Sequence, residues 1–245
     1  TGGITYNVKI GDPACSWIAD HVEPGVSIRH NEAKENAGLN TLACIGNTAA
    51  VVSGEAKGAK GYVTGKHGGI EHVLTWFDRD TLERMAIGDK IQIRAWGTGL
   101  KLIEAPEVTI MNLDPELLEK MELTISKGVL EVPVTTVIPP YLMGSGIGAS
   151  TCHTGDYDIM TADPEAYEKY GLGQLRLGDL VLLQDCDNQY GRGYLKGAVS
   201  VGVIVHSDCV ITGHGPGVTT LFTCKKPLIR GRKDENANLT SWLNH

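Results

Sequence analysis

Apolar runs in this chain are short, and nearly all of them stop at a turn residue. Thirty-one of the 245 residues are glycine, close to twice the usual ~7%. The stretches between them alternate or are β-branched: Ile4–Ile10, Ala49–Ser53, Gly61–Thr64, Lys90–Trp96, Val129–Ile138, Asp179–Gln184, Val199–Val205 and Thr219–Thr223. Each interior Gly costs a helix about 1 kcal/mol relative to Ala, whereas short strands joined by tight turns use it freely. Three helices announce themselves by their caps instead. Asp114-Pro115-Glu116 and Asp163-Pro164-Glu165 place an N-cap Asp before a Pro suited to the first helical position, and Asp78–Ala86 is a third acidic-first segment. The pattern predicts an α+β, strand-dominated fold with a few short helices.

A weak internal echo suggests how the chain divides. DTLERMAIGDKIQI at 80–93 and AYEKYGLGQLRLGDLVLL at 166–183 both run helix, short link, Gly-Asp, apolar strand. Either two β-rich halves are present, 1–127 and 128–229 followed by a polar arm at 230–245, or two helix-to-strand turns resemble each other by chance.

Charge and apolar content exclude several classes. Lys plus Arg number 22 against 29 Asp plus Glu, a net charge of −7, and no basic cluster exceeds Lys225–Lys233, so nucleic acid is not an expected partner. Apolar runs such as Leu180–Leu183 fall far short of the ~20 residues a membrane helix needs. Cys15, Cys44, Cys152, Cys186, Cys209 and Cys224 form no CxxC pair, which fits free thiols in a reducing cytoplasm. A small-molecule substrate and a homo-oligomer are expected.

Chemistry-bearing residues collect in a few glycine-framed segments. Gly65–His72 brings Lys66, His67, Glu71 and His72 together, as a ligand-facing loop or as a tight hairpin whose Lys and His face water. Asp185–Tyr194 follows an apolar strand. Asp185 and Asp187 there could share a cation, share a proton, pair with Arg192, or cap a turn, and Tyr190 lies beside them. His206 and Asp208 end the uncharged run 198–205, and His214 lies in the Gly-rich loop 213–217, where a buried strand releases its chain. A divalent metal site is composable from His67, His72, Asp185, Asp187, His206, Asp208 and His214, although no motif such as HExxH fixes it. Asp20–Gly25 and the Asn-rich segment 36–47 add polar groups that turns explain, with lining as their furthest role.

Four long stretches resemble a known family: GGITYNVKIGDPACSWIADHVEPGVSI at 2–28, NAGLNTLACIGN at 36–47, GAKGYVTGKHGGIEHV at 58–73 and YGRGYLKGAVSVGVIVHSDCVITGHGPGVTTL at 190–221. They are similar to the prokaryotic domain-of-unknown-function family 4438, over almost the whole chain. That resemblance implies a further stretch upstream of Thr1, and no activity. The helix-to-strand modules are faintly similar to the acetamidase and formamidase group, which would imply amide hydrolysis.

If the polypeptide is cut before Thr1, that residue carries a hydroxyl nucleophile and an α-amine able to serve as its base. Gly2 and Gly3 would give the freedom that self-cleavage needs, and the cleaved fragment would be a partner; the alternative is that Thr1 follows a leader or an ordinary chain start. The functional expectation is a hydrolase of a small or cyclic amide. Thr1 is then the candidate nucleophile, Lys66 and His67 stabilise charge, and Asp185, Asp187, Tyr190, Arg192, His206 and His214 contact substrate. A metal-dependent hydrolase built on the His and Asp residues, or a non-catalytic oligomeric scaffold, are the alternatives.

Overall fold

The computed structural model describes residues 2–243. Strand outweighs helix, 36% to 15%, and is gathered into three sheets. The first contains β1 (Ile4–Thr5), β2 (Gly25–Ile28), β3 (Thr48–Val51), β4 (Lys60–His67), β5 (His72–Trp76) and β6 (Ile91–Ile93) in the order β1-β2-β5-β4-β3-β6. All its pairs are antiparallel, and β4 and β5 form a hairpin that sets His67 opposite His72. Helix α1 (Ala33–Leu42) lies between β2 and β3, and α2 (Arg79–Arg84) follows β5.

The chain continues through β7 (Thr109–Ile110), α3 (Pro115–Lys120), β8 (Thr124–Ser126), β9 (Val129–Val134), β10 (Thr136–Ile138), β11 (Tyr157–Asp158) and α4 (Pro164–Lys169). The last strands are β12 (Leu180–Asp187), β13 (Gly193–His206), β14 (Gly217–Cys224) and β15 (Ile229–Lys233). The second sheet is ordered β10-β12-β13-β14-β11, with β7 also paired to β14. In the third, β15 pairs parallel with β9 and β9 antiparallel with β8, so 229–233 is a strand at the head of the polar arm.

The caps work as their residues suggest. Asp78 accepts from Thr81 N–H at 2.8 Å, Asp114 from Glu116 N–H at 2.7 Å and Asp163 from Glu165 N–H at 3.0 Å. The echoed Gly-Asp turns share one bond: Asp89 Oδ2 accepts from Ala86 N–H, and Asp179 Oδ2 from Arg176 N–H, each at 2.8 Å. Helix α1 carries no apolar stripe. Its buried residues are Asn36 and Asn40, one turn apart, whose side-chain amides donate to Glu71 O at 3.0 and 3.1 Å.

The first two sheets press together where β4 meets β13 and β14. Gly65 permits this approach, because a Cβ there would collide with the Val205 side chain. Thr219 Oγ1 then donates to Lys66 O at 3.1 Å. One apolar cluster joins Ile45 and Leu74 to Val201, Leu221 and Phe222, so both halves of the chain share a core. No helix among the described residues is long and apolar enough to cross a membrane.

Candidate metal centre

Three strands and one loop converge where the sheets touch. β13 ends at His206, which pairs in register with Gly217 of β14, and Gly217 pairs on its other side with Asp158 of β11. A side chain at 217 would occupy the space between its neighbours: a Cβ there would collide with Asp156 Oδ2 and His206 Nε2. The two-residue period of an extended chain sets Asp156 on the same face as Asp158. His67 arrives at the end of β4, its ring centroid 4.2 Å from that of His206. His21 enters from the loop before β2, its centroid 4.9 Å from His206 and 5.5 Å from His67.

Each of these three histidines has its Nδ1 engaged by an oxygen outside the cluster. His67 Nδ1 meets Glu23 Oε1 at 2.5 Å, His206 Nδ1 donates to Ser207 O at 2.8 Å, and His21 Nδ1 meets Asp20 Oδ1 at 2.8 Å. With Nδ1–H as donor, Nε2 carries the lone pair, free on His67 and His206 and meeting His214 Nδ1 at 3.1 Å on His21, which is how outer carboxylates and carbonyls fix metal-binding imidazoles. Ligand atoms of His21, His67 and His206 lie within 4.8 Å of one another, as do those of Asp156, Asp158 and His206, and those of His21, Asp158 and His214. All but the half-exposed His214 are buried.

The charges are unbalanced without a cation. Glu23, Asp156 and Asp158 are buried, and among the described residues imidazoles are their charged partners. Burial opposes the Glu23 charge, yet bonds from His67, His72 and Ser27 outweigh it and hold the carboxyl well below its usual range. Burial likewise opposes Asp156, and His206 overrides it. His206 itself would lose its proton by burial alone, but Asp156 and Asp158 push it up to about 10. The His206 proton thus supplies positive charge at this point in ion-free protein, and a bound cation would take its place. His206 Nε2 and Asp156 Oδ2 are 2.7 Å apart, but neither makes an aligned hydrogen bond and both are sealed from solvent. Two orphaned buried atoms this close suit neighbouring ligands of one ion, and an imidazole-rich set with a carboxylate suits zinc or a similar divalent metal. Beside them, His214 Nδ1 meets Asp158 Oδ2 at 3.1 Å.

A cavity of about 420 Å³ opens onto the cluster, lined by His21, His67, Asp156, Asp158, His214 and Arg192 among others. Larger clefts of about 730 and 600 Å³ lie along the first sheet, and none of the clustered histidines lines them.

The residues singled out from the sequence divide into three groups. His67, His206 and His214 meet at the centre, with His72 behind it, its Nδ1 3.1 Å from Glu23 Oε1. Arg192 lines the same cavity. The others lie elsewhere. Lys66 is fully buried on the other side of β4, donating to Asn112 Oδ1 at 2.7 Å and His153 O at 2.6 Å. Asp185 falls in an irregularity of β12 with φ 52° and accepts from Gly197 N–H at 2.7 Å, and Asp187 accepts from Gln189 N–H at 3.2 Å. Asp185 bridges β12 to β13 at the bulge, Asp187 closes a turn, and neither pairs with Arg192. Tyr190 is exposed beneath the Lys225 ammonium. Asp208 accepts from Ser16 N–H at 2.9 Å, beyond the end of β13. Thr1 lies outside the described residues.

Sequence reasoning gave His21 and Glu23 no more than a lining role and passed over Asp156 and Asp158. The alternation Asp156-Tyr157-Asp158 is a period-two signal, but a strand of two residues is too short to stand out.

The family model described as domain of unknown function DUF4438, N-terminal, matches residues 1–119, and its C-terminal counterpart matches 120–243. A solved structure described as that of TM1086 is similar over 100% of this chain and 86% of that one, with 52% identity and a TM-score of 0.95. No curated protein matched.

Proposed function

The chain belongs to the DUF4438 family, and we propose that it is a metal-dependent hydrolase acting on a small amide or cyclic amide. One observation carries the reading: outer acceptors on Nδ1 turn the Nε2 atoms of His67 and His206 toward one point beside the orphaned Asp156 Oδ2, and His21 Nε2 joins them while also meeting His214 Nδ1 at 3.1 Å. A divalent ion held by these residues would supply a water acidic enough to ionise near neutral pH. The protein's own part is to orient and to move protons. Asp158 and His21 both meet His214 at Nδ1, each at 3.1 Å, which leaves the other ring nitrogen of a half-exposed imidazole on the cavity side. His214 then takes the proton of the attacking water and passes it to the leaving nitrogen, as the new C–O bond forms and the C–N bond breaks. Unpaired cysteines suit a reducing cytoplasm.

The test is elemental analysis of protein purified without chelators. About one ion per chain is expected, lost in His67→Ala, with amidase activity removed by chelation and restored by zinc. Protein that holds no ion, and is neither stabilised nor activated by added zinc, manganese or cobalt, overturns the reading. Intact mass of the same sample bears on Thr1: a chain cut before it, with activity that survives chelation, favours the N-terminal nucleophile instead.

A further inference from the structure

We infer that the molecule bound in this cavity carries a carboxylate, and that Arg192 receives it. As an assignment of substrate class this rests on the hydrolase reading above; as a binding site it stands on Arg192 alone.

Arg192 is 6% exposed and lines the cavity shared by His21, His67, Asp156 and His214. Buried arginines are normally met by a carboxylate. Among the described residues none lies within 4.0 Å of this one. Its Nη2 donates to Thr154 O at 2.8 Å, while Nε is enclosed without any hydrogen-bond partner. The neighbouring thiol of Cys152 offers no countercharge, since burial pushes it up to about 11. The guanidinium is nevertheless held in place. Its Cζ lies over the Tyr157 ring, 5.4 Å from the centroid, and its backbone is tied to the facing loop by Arg192 N–H to Ala149 O at 2.9 Å and Gly148 N–H to Arg192 O at 2.8 Å. An ordered, desolvated guanidinium with its Nε–H unmet and no carboxylate beside it is the complement of a planar anion.

The segment that accepts from Arg192 at Thr154 also carries Asp156 and Asp158 two and four residues on, so the anchor and the ion cluster are two ends of one site. The cavity walls favour a singly charged anion. Glu71, Asp156 and Asp158 line it, and Arg192 is the strong base among its lining residues. A dianionic phosphate would meet three acids there, whereas one carboxylate neutralises one guanidinium.

The test is calorimetric titration of N-acetylglycine and of its neutral counterpart N-acetylglycinamide, into protein as purified and into protein stripped by chelation. The acid is expected to bind at least 10-fold more tightly than the amide in both forms. Arg192→Gln should abolish that preference with its ion content unchanged, and Arg192→Lys should keep part of it, because charge remains while the fork is gone. If Arg192→Gln does not fold, the acid–amide pair on the unaltered protein decides. Equal binding of the pair, binding of neither, or full preference in a folded Arg192→Gln protein overturns the inference, and tighter binding of inorganic phosphate overturns the carboxylate. Protein that holds no ion as purified and takes up none when zinc is added, yet prefers the acid, leaves this anchor standing and removes the hydrolase reading, whereas protein that holds an ion but lacks the preference does the reverse.

Discussion

Lys66 and His67 are neighbours on β4, both buried, and face opposite sides of the strand. Lys66 enters a closed network: two neutral oxygens, Asn112 Oδ1 and His153 O, receive its ammonium, and Asn112 Nδ2 donates onward to Cys152 O and Thr220 O at 2.7 and 2.9 Å. His67 enters an open one, where carboxylates and imidazoles converge and atoms such as His206 Nε2 stay unpartnered. Burial alone therefore does not distinguish a site from a strut. What distinguishes them is whether the buried polar groups already satisfy each other.

Substitutions on the two faces should separate accordingly. The largest effect is expected from Gly217→Ala, whose methyl group would fill the space between Asp156 Oδ2 and His206 Nε2. Bound ion should disappear altogether; a Gly217→Ala protein with full metal content would show that those atoms are not ligands. Glu23→Gln comes next. It keeps a hydrogen-bond acceptor for His67 but removes the charge behind it, and metal affinity should fall about 10–100-fold. Competition with a chromogenic chelator measures this, and unchanged affinity would detach Glu23 from the centre.

Lys66→Met should act on stability alone, by about 1–3 kcal/mol in urea unfolding, since it strands Asn112 Oδ1 and His153 O without a donor. Metal content should not move, and a loss of ion would join the two faces. The same pair predicts opposite pH dependences in ion-free protein. Burial lowers Lys66 from 10.5 to about 7, so between those values the unfolded chain binds more protons and stability rises with pH. His206, raised from 6.5 to about 10, is protonated in the folded state, so across its interval stability falls as pH rises. The two trends offset each other in the unaltered chain. Lys66→Met should expose the falling branch, and zinc should remove it by taking the place of the His206 proton. A Lys66→Met stability profile parallel to the unaltered one from pH 7 to 10 would show that the Lys66 ammonium is not destabilised. The smallest effect belongs to Asp187→Asn, half-exposed and closing a turn. It should change stability by less than about 0.5 kcal/mol and metal content not at all.

The amino-acid sequence by itself determined the parts governed by neighbours along the chain. Asp78, Asp114 and Asp163 cap their helices because a short carboxylate reaches N–H groups two or three residues on, whatever surrounds them. The strand cores at 180–183 and 219–223 were legible because a buried strand is apolar or β-branched, whereas the continuation of the first to Asp187 was not marked in that way. His67, His206 and His214 were legible as chemistry because each stands at the end of such a strand or among glycines. Helix α1 was not legible, because the face it buries is made of Asn36 and Asn40, whose partner Glu71 O lies in a distant hairpin. Only the tertiary structure decided that His21, Glu23, Asp156 and Asp158 belong with those histidines. His206 meets Asp158 through the register of β13, β14 and β11 across Gly217, and His67 reaches them because Gly65 lets β4 close on Val205. Contacts of that kind join residues far apart in the chain, 48 positions for Asp158 and His206 and 140 for Gly65 and Val205, and no local period or spacing records them.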